Sequence, residues 1–168
     1  MTVLIRQAKP SDLPALVEIL NPFITDTAIT FDTEAYSTET RQPWFAQFGA
    51  NGRYQCFVAE MDKVIVGYAN SGPLRPKKAY DTSVEVSIYK DKLCTVRGIG
   101  SALYEALFAA LLKQDVHRAH ALITLPNNES VALHQKFGFK EVGLLDEAGR
   151  KFRKYHSVYW MEKKFNLP

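Results

Sequence analysis

Apolar and polar residues alternate from Val3 to Gln7, a period of two that predicts a first strand at 3–7. The period then lengthens. Leu13, Leu16, Val17 and Leu20 share one face of a helix that Ser11 can cap and whose first turn tolerates Pro14. Residues 21–33 hold no period and read as a long loop. Ser37 or Thr38 can cap a second helix reaching Phe48, in which Pro43 predicts a late start or a kink. Strands at 54–60 and 64–71 flank Met61-Asp62-Lys63, a hairpin turn with lysine where glycine would ease the backbone. A strand at 82–89 leads through a polar connection to Arg97-Gly98-Ile99-Gly100 and an apolar helix at 101–114, with Leu103, Leu107, Ala110 and Leu111 in one stripe. After a strand at 119–125, Asn127 or Asn128 can cap a helix that carries Val131, Leu133 and Phe137 and stops at Gly138, a left-handed C-cap. Strands at 139–144 and 155–165 end the order. Helices interleaved with these strands predict an α+β fold, an α/β sandwich with a mixed, mostly antiparallel central sheet flanked by helices, as one domain over residues 1–168.

Composition narrows the partners. At 168 residues the chain can bury a core without disulfides or metals. Its 21 basic and 18 acidic residues leave a net charge of +3, enough for mild attraction of anions but with no basic arm for nucleic acid. Cys56 and Cys94 form no disulfide framework and lie near no histidine at zinc-ligand spacing, so no metal site is expected and a reducing cytoplasm fits. The N-terminus lacks the apolar region of a signal peptide, and the run from Ala106 to Leu112 is far shorter than the roughly 20 residues that span a bilayer, so no membrane association is expected.

The chemistry concentrates after the strand at 82–89. Strand, glycine turn and helix in that order build an anion site: glycines at 98 and 100 let a phosphate approach the backbone, and the helix start offers unpaired N–H groups carrying partial positive charge. No Lys-Ser or Lys-Thr follows, and only two of the three dinucleotide-fold glycines are present. Taken alone, the turn reads first as a tight strand-to-helix connection. A second constellation, Asn127-Asn128-Glu129-Ser130-Val131-Ala132-Leu133-His134-Gln135-Lys136-Phe137-Gly138-Phe139, lies one strand further on.

Together these two motifs resemble the GNAT superfamily of N-acetyltransferases, which use acetyl-CoA. Its turn reads Gln/Arg-x-x-Gly-x-Gly/Ala; here Thr95-Val96-Arg97-Gly98-Ile99-Gly100 matches both glycines and departs at Thr95, keeping the backbone donors but no long polar side chain there. The chain is more closely similar, over nearly its whole length, to the phosphinothricin and methionine sulfone acetyltransferase-like branch. The pieces are Asn21 with residues 27–34, Trp44-Phe45, Leu74-Arg75-Pro76-Lys77-Lys78-Ala79-Tyr80, Thr82 and Val84-Glu85 with Ser87-Ile88-Tyr89, Leu125-Pro126-Asn127, and Gly149-Arg150-Lys151-Phe152.

The resemblance implies roles that the residues alone leave open. Alternation makes Glu85 an outward carboxylate; the resemblance puts it in the active cleft as the base that takes the proton of an attacking amine, directly or through water. His134 stands where many relatives carry tyrosine, either donating a proton to the departing thiolate or closing over it. Asn127 and Ser130 read as helix caps or as contacts to pantetheine. The resemblance also implies pantetheine pairing along Ser87, Ile88 and Tyr89 and a pyrophosphate held across Thr95, Val96, Arg97, Gly98, Ile99 and Gly100. Phe31, Arg75 and Lys77 become acceptor contacts, with Arg75 suited to a carboxylate. The expected reaction is direct acetyl transfer to the amine of a small amino-acid-like compound such as phosphinothricin, methionine sulfoximine or methionine sulfone, by a homodimer. A different amine acceptor, or a non-catalytic acyl-CoA-binding module, is the alternative.

Overall fold

A computed structural model describes residues 2–165. Its strands are β1 (Val3–Gln7), β2 (Cys56–Met61), β3 (Val64–Pro73), β4 (Ser83–Lys90), β5 (Arg118–Thr124), β6 (Lys140–Lys151) and β7 (Lys154–Lys164). The helices are α1 (Leu13–Asp26), α2 (Thr38–Phe45), α3 (Ile99–Leu111) and α4 (Asn128–Lys136). All seven strands form one sheet in the order β1-β2-β3-β4-β5-β7-β6. Only β4 and β5 run parallel; every other neighbour is antiparallel. The expected mixed, mostly antiparallel sheet flanked by helices is therefore the one observed.

Period-two alternation sorts side chains between the two faces. On one face, Ala59, Val66, Ala69, Val84, Val86, Ala119, Ala121 and Met161 pack under α3, which contributes Leu103, Tyr104, Leu107, Phe108 and Leu111. On the other, Cys56, Val58 and Tyr68 meet Leu16 and Ile19 of α1 and the aromatic side chains of α2 and its C-terminal turn. Glu85, Ser87 and Tyr89 alternate with Val84 and Val86, so they belong to this second face.

Local expectations differ from the structure in four places. Residues 21–26 continue α1 through Pro22 instead of forming a loop, because Ile24 is buried and Phe23 packs 5.4 Å from Tyr89, centroid to centroid. Asn21 then pins the loop that follows: its amide donates to the Tyr36 carbonyl and its oxygen accepts from the Tyr36 N–H, each at 2.9 Å. The second helix starts at Thr38 on the Ser37 cap, not late, and ends at Phe45, short of Phe48. The glycine-turn helix begins two residues early, at Ile99, and stops at Leu111. Finally, β6 runs to Lys151, well past the expected end at 144. Most of that strand is exposed and shows no alternation, so pairing with β7 defines it. Its turn places Phe152 and Arg153 at φ of +51° and +61°, as Asp62 and Lys63 sit at +50° and +68° in the expected β2–β3 hairpin.

Candidate active site

The sheet parts at Glu85. β4 and β5 pair only from Ser83 with Arg118 to Glu85 with His120, although β4 continues to Lys90 and β5 to Thr124. Beyond the fork β4 stays with β3, and β5 stays with β7. Residues 86–90 thus keep an inner edge with no strand partner among the described residues, and a cavity of about 680 Å³ opens between the two halves. Ser87, Ile88 and Tyr89 line it from β4, Ala121, Leu122 and Ile123 from β5, and Asn127, Ser130, Leu133 and His134 from the α4 side.

One corner is built for an anion. Gly98 caps α3 at φ +83°, a left-handed conformation that favours glycine, and no side chain caps the first turn. The leading N–H groups of α3 therefore stay free, at the positive end of the helix dipole. A side chain at position 100 would place its Cβ 3.2 Å from Leu133 Cδ2 and 3.6 Å from Ile88 Cδ1, so Gly100 is what lets α3, α4 and β4 meet closely. Val96, Arg97, Gly98, Ile99 and Gly100 all border the cavity, with Lys90 and Lys92 beside them. Thr95 is exposed and lies outside the lining. Asn127 accepts from the Ser130 N–H at 3.2 Å, so its oxygen does cap α4 while its side chain borders the cavity.

His134 is only 3% exposed, and both ring nitrogens are engaged. Nδ1 lies 2.7 Å from the Ser130 carbonyl, which can only accept, so Nδ1 carries the proton. In the neutral ring Nε2 then accepts from the Tyr104 hydroxyl, 2.8 Å away. Burial lowers the imidazole's pKa, partly opposed by the Ser130 bond, and raises that of the Tyr104 phenol. Both side chains border the cavity.

Glu85 stands at the fork, on the opposite face of the sheet and outside that lining. Burial raises its carboxyl pKa, and the nearby Arg75 charge draws it partly back. Arg75 is exposed, donates among the described residues only to the preceding Leu74 carbonyl at 3.1 Å, and lies 5.7 Å from the centre of the Trp160 ring. Lys77 is exposed and, among the described residues, unpaired. Phe31 rests flat against Gly149, where any Cβ would collide with its ring, and lies 6.4 Å from His156. Lys151 holds that loop by donating to the Thr30 carbonyl at 2.8 Å. Phe31, Arg75 and Lys77 thus stay outside the glycine-turn cavity.

Sequence reasoning missed Tyr104, which sits in an apolar helix thirty residues from its partner. It also missed His120 and Trp160, joined by a bond from Trp160 Nε1 to His120 Nδ1 at 3.1 Å. No local pattern marks any of these; the packing of α3 on α4 brings in Tyr104, and strand register brings in His120 and Trp160. Among the described residues no group of three or more His, Cys, Asp or Glu side chains could hold a metal, and no helix is long and apolar enough to cross a membrane.

Comparison with known proteins places the fold in a family. The acetyltransferase (GNAT) domain family matches residues 5–160. Over 163 residues the chain is 44% identical to phosphinothricin N-acetyltransferase of Streptomyces coelicolor, covering 96% of this chain and 95% of that one. It is 28% identical to L-methionine sulfoximine/L-methionine sulfone acetyltransferase of Pseudomonas aeruginosa, covering 96% and 94%. Among solved structures, a GNAT superfamily phosphinothricin acetyltransferase from Sinorhizobium meliloti in complex with acetyl-CoA superposes with a TM-score of 0.91 at 27% identity, over 99% of this chain and 90% of that one. The chain belongs to the acetyltransferase (GNAT) family and is an acetyl-CoA-dependent N-acetyltransferase similar to the phosphinothricin acetyltransferases.

Proposed function

We propose that this enzyme moves the acetyl group directly onto the free α-amine of a small amino-acid-like compound of the phosphinothricin, methionine sulfoximine or methionine sulfone type. The observation that carries the reading is the fork: a carboxylate with a raised pKa stands where the glycine-turn cavity meets a cation-bearing face. The names of the relatives support the acceptor class.

In this reading the free amides of α3 and its glycine turn hold the coenzyme's pyrophosphate. The unpaired edge of β4 at Ser87, Ile88 and Tyr89 pairs with pantetheine, helped by Asn127 and Ser130. One β4 N–H polarises the thioester carbonyl as charge develops on its oxygen. Glu85 takes the proton that the ammonium must lose, directly or through water. Its raised pKa makes it a better base than an ordinary carboxylate. At the departing sulfur the acid is His134 acting through Tyr104. The resting ring is neutral with Nε2 accepting, so it must first take a proton from solvent at Nε2; the Tyr104 hydroxyl then gives its proton to the sulfur and receives the Nε2 proton in return.

The whole chain acts as one domain, since its seven strands share one sheet. It works as a homodimer, supported by the exposed Val142, Leu144, Leu145, Phe152 and Tyr155 on and around the β6–β7 hairpin. Two unbridged cysteines and an acetyl-CoA substrate fit the cytoplasm. Thiol release from acetyl-CoA across a panel of amino acids, their sulfone, sulfoximine and phosphinate analogues, polyamines and aminoglycosides tests the acceptor class. Saturable turnover with the amino-acid-like compounds is expected; turnover confined to the cationic amines would overturn it. Light scattering should give twice the 19.0 kDa chain mass.

A further inference from the structure

The Glu85 face carries polar side chains that the protein itself leaves unsatisfied. Asn70 of β3 stands opposite Ser87, and Glu85 stands between Gly72 of β3 and His120 of β5. Asn70 and His120 are only 6% and 7% exposed. Among the described residues neither the Asn70 amide nor the Glu85 carboxylate takes part in a hydrogen bond, and His120 takes part in one, through Nδ1. Buried polar groups ordinarily have partners, so these are waiting for one. The sealed side-chain atom that lacks a partner among the described residues is Arg41 Nε, so the free polar atoms of Asn70, Glu85 and His120 are not fully closed off.

His120 has a defined hydrogen-bonding state. An indole N–H can only donate, so the 3.1 Å bond from Trp160 Nε1 makes Nδ1 the acceptor and puts the proton of the neutral ring on Nε2. Burial and the charges of Arg118 and Arg75 oppose a second proton; Glu162, bonded to Arg118 at 2.9 Å, favours it less strongly than burial disfavours it. Arg75 lies over the same Trp160 ring, and its charge acts on both His120 and Glu85. Arg75, Trp160 and His120 therefore form one unit beside the base, with a guanidinium and a neutral N–H as its donors.

We propose that His120 is a specificity-determining residue whose Nε2–H donates to the carboxylate of the amino-acid acceptor beside the Arg75 guanidinium, with Trp160 as the positioning residue that fixes the ring. This rests on the amino-acid reading of the acceptor. It also explains why a neutral donor stands there: a second cation would bind the carboxylate as well but would pull down the pKa of Glu85 and weaken the base.

The test compares each accepted amino acid with its decarboxylated amine in the wild type, His120→Val, His120→Gln and Trp160→Phe. A hydrogen bond to a charged group predicts that His120→Val loses about tenfold to a hundredfold in kcat/KM for the amino acid, chiefly through KM. The amine should be nearly unaffected and the KM for acetyl-CoA unchanged. His120→Gln, which keeps a donor, should recover most of the loss. Trp160→Phe should lose less and add nothing to His120→Val. Imidazole nitrogen NMR of the wild type with coenzyme A should show Nε2 protonated and shifting on addition of the amino acid but not of the amine. Equal losses on both acceptors, no loss on the amino acid, or an unmoved Nε2 would overturn the assignment. A wild type that turns over amines but no amino acid would instead overturn the functional reading beneath it.

Discussion

The two sides of the fork are built from different materials. The glycine-turn side is mostly backbone: free amides at the start of α3, an unpaired β4 edge, and two glycines that let these elements close up. The Glu85 side is side chain throughout, with Arg75, Glu85, His120 and Trp160 drawn from three strands and a loop. In the proposed reading, the backbone site recognises what every substrate of such an enzyme shares, the coenzyme. A side-chain site can change one residue at a time, so in that reading it is where acceptor choice resides.

That contrast predicts separable failures. The largest belongs to Glu85→Gln, which removes the proposed base and nothing from the glycine-turn cavity. Turnover should fall about 10²-fold to 10⁴-fold, while acetyl-CoA affinity by calorimetry stays near the wild-type value. The surviving kcat/KM of the wild type should rise with pH as Glu85 loses its proton, above the ordinary carboxyl value of 4.5. Equal loss of turnover and coenzyme binding would erase the division between the two sides.

The opposite lesion is Gly100→Val. Its Cβ would already crowd Leu133 at 3.2 Å, and its methyl groups would push α4 from the start of α3. Overpacking of this kind costs about 1–3 kcal/mol, and here the displaced parts are the coenzyme's walls. The KM for acetyl-CoA should rise about tenfold or more, with the acceptor KM little changed. Gly100→Ala, placing one methyl in the same gap, should show a weaker form of the same split.

The same contrast decides what the sequence could reveal. Strand, glycine turn and helix follow one another between Ser83 and Leu111, so periodicity and turn chemistry show the elements of the corner, and the family resemblance supplies the anion reading. Asn127, Ser130 and His134 are legible for the same reason, as one face of a single helix. The Tyr104–His134 bond spans thirty residues and the His120–Trp160 bond forty, and each depends on how elements pack. α1 ran on through Pro22 because burial of Ile24 outweighs the missing backbone bond, a tertiary effect that no local rule contains. The full length of β6 escapes the sequence pattern because an exposed edge strand needs no alternation.

On the acceptor side a smaller effect tests whether Phe31 shapes the pocket. Gly149→Ala adds one carbon where the Phe31 ring lies, so the ring must move or the β6–β7 turn must give. The acceptor KM should rise severalfold with the acetyl-CoA KM unchanged, and Phe31→Ala should largely relieve the added crowding in the double variant. A double variant in which the two effects simply add would show that Phe31 and Gly149 act apart.

The smallest predicted effect is on stability, and its sign separates a poised carboxylate from a merely structural one. Glu85 has a folded pKa above its unfolded value of 4.5, so the folded chain binds that proton more tightly. Its contribution is therefore most favourable at low pH and declines as pH rises from 4.5 through the raised value. His134 has the opposite sign: with its folded pKa lowered from 6.5, its contribution is complete above that value and is lost as pH falls below it. Glu85→Gln should accordingly melt slightly above the wild type at mildly alkaline pH, the gap closing as pH approaches the ordinary carboxyl range. His134→Gln should blunt the wild type's loss of stability below 6.5 instead. A Glu85→Gln variant less stable than the wild type at alkaline pH would mean that the carboxylate is satisfied inside the protein, and a satisfied carboxylate is not held ready for an amine.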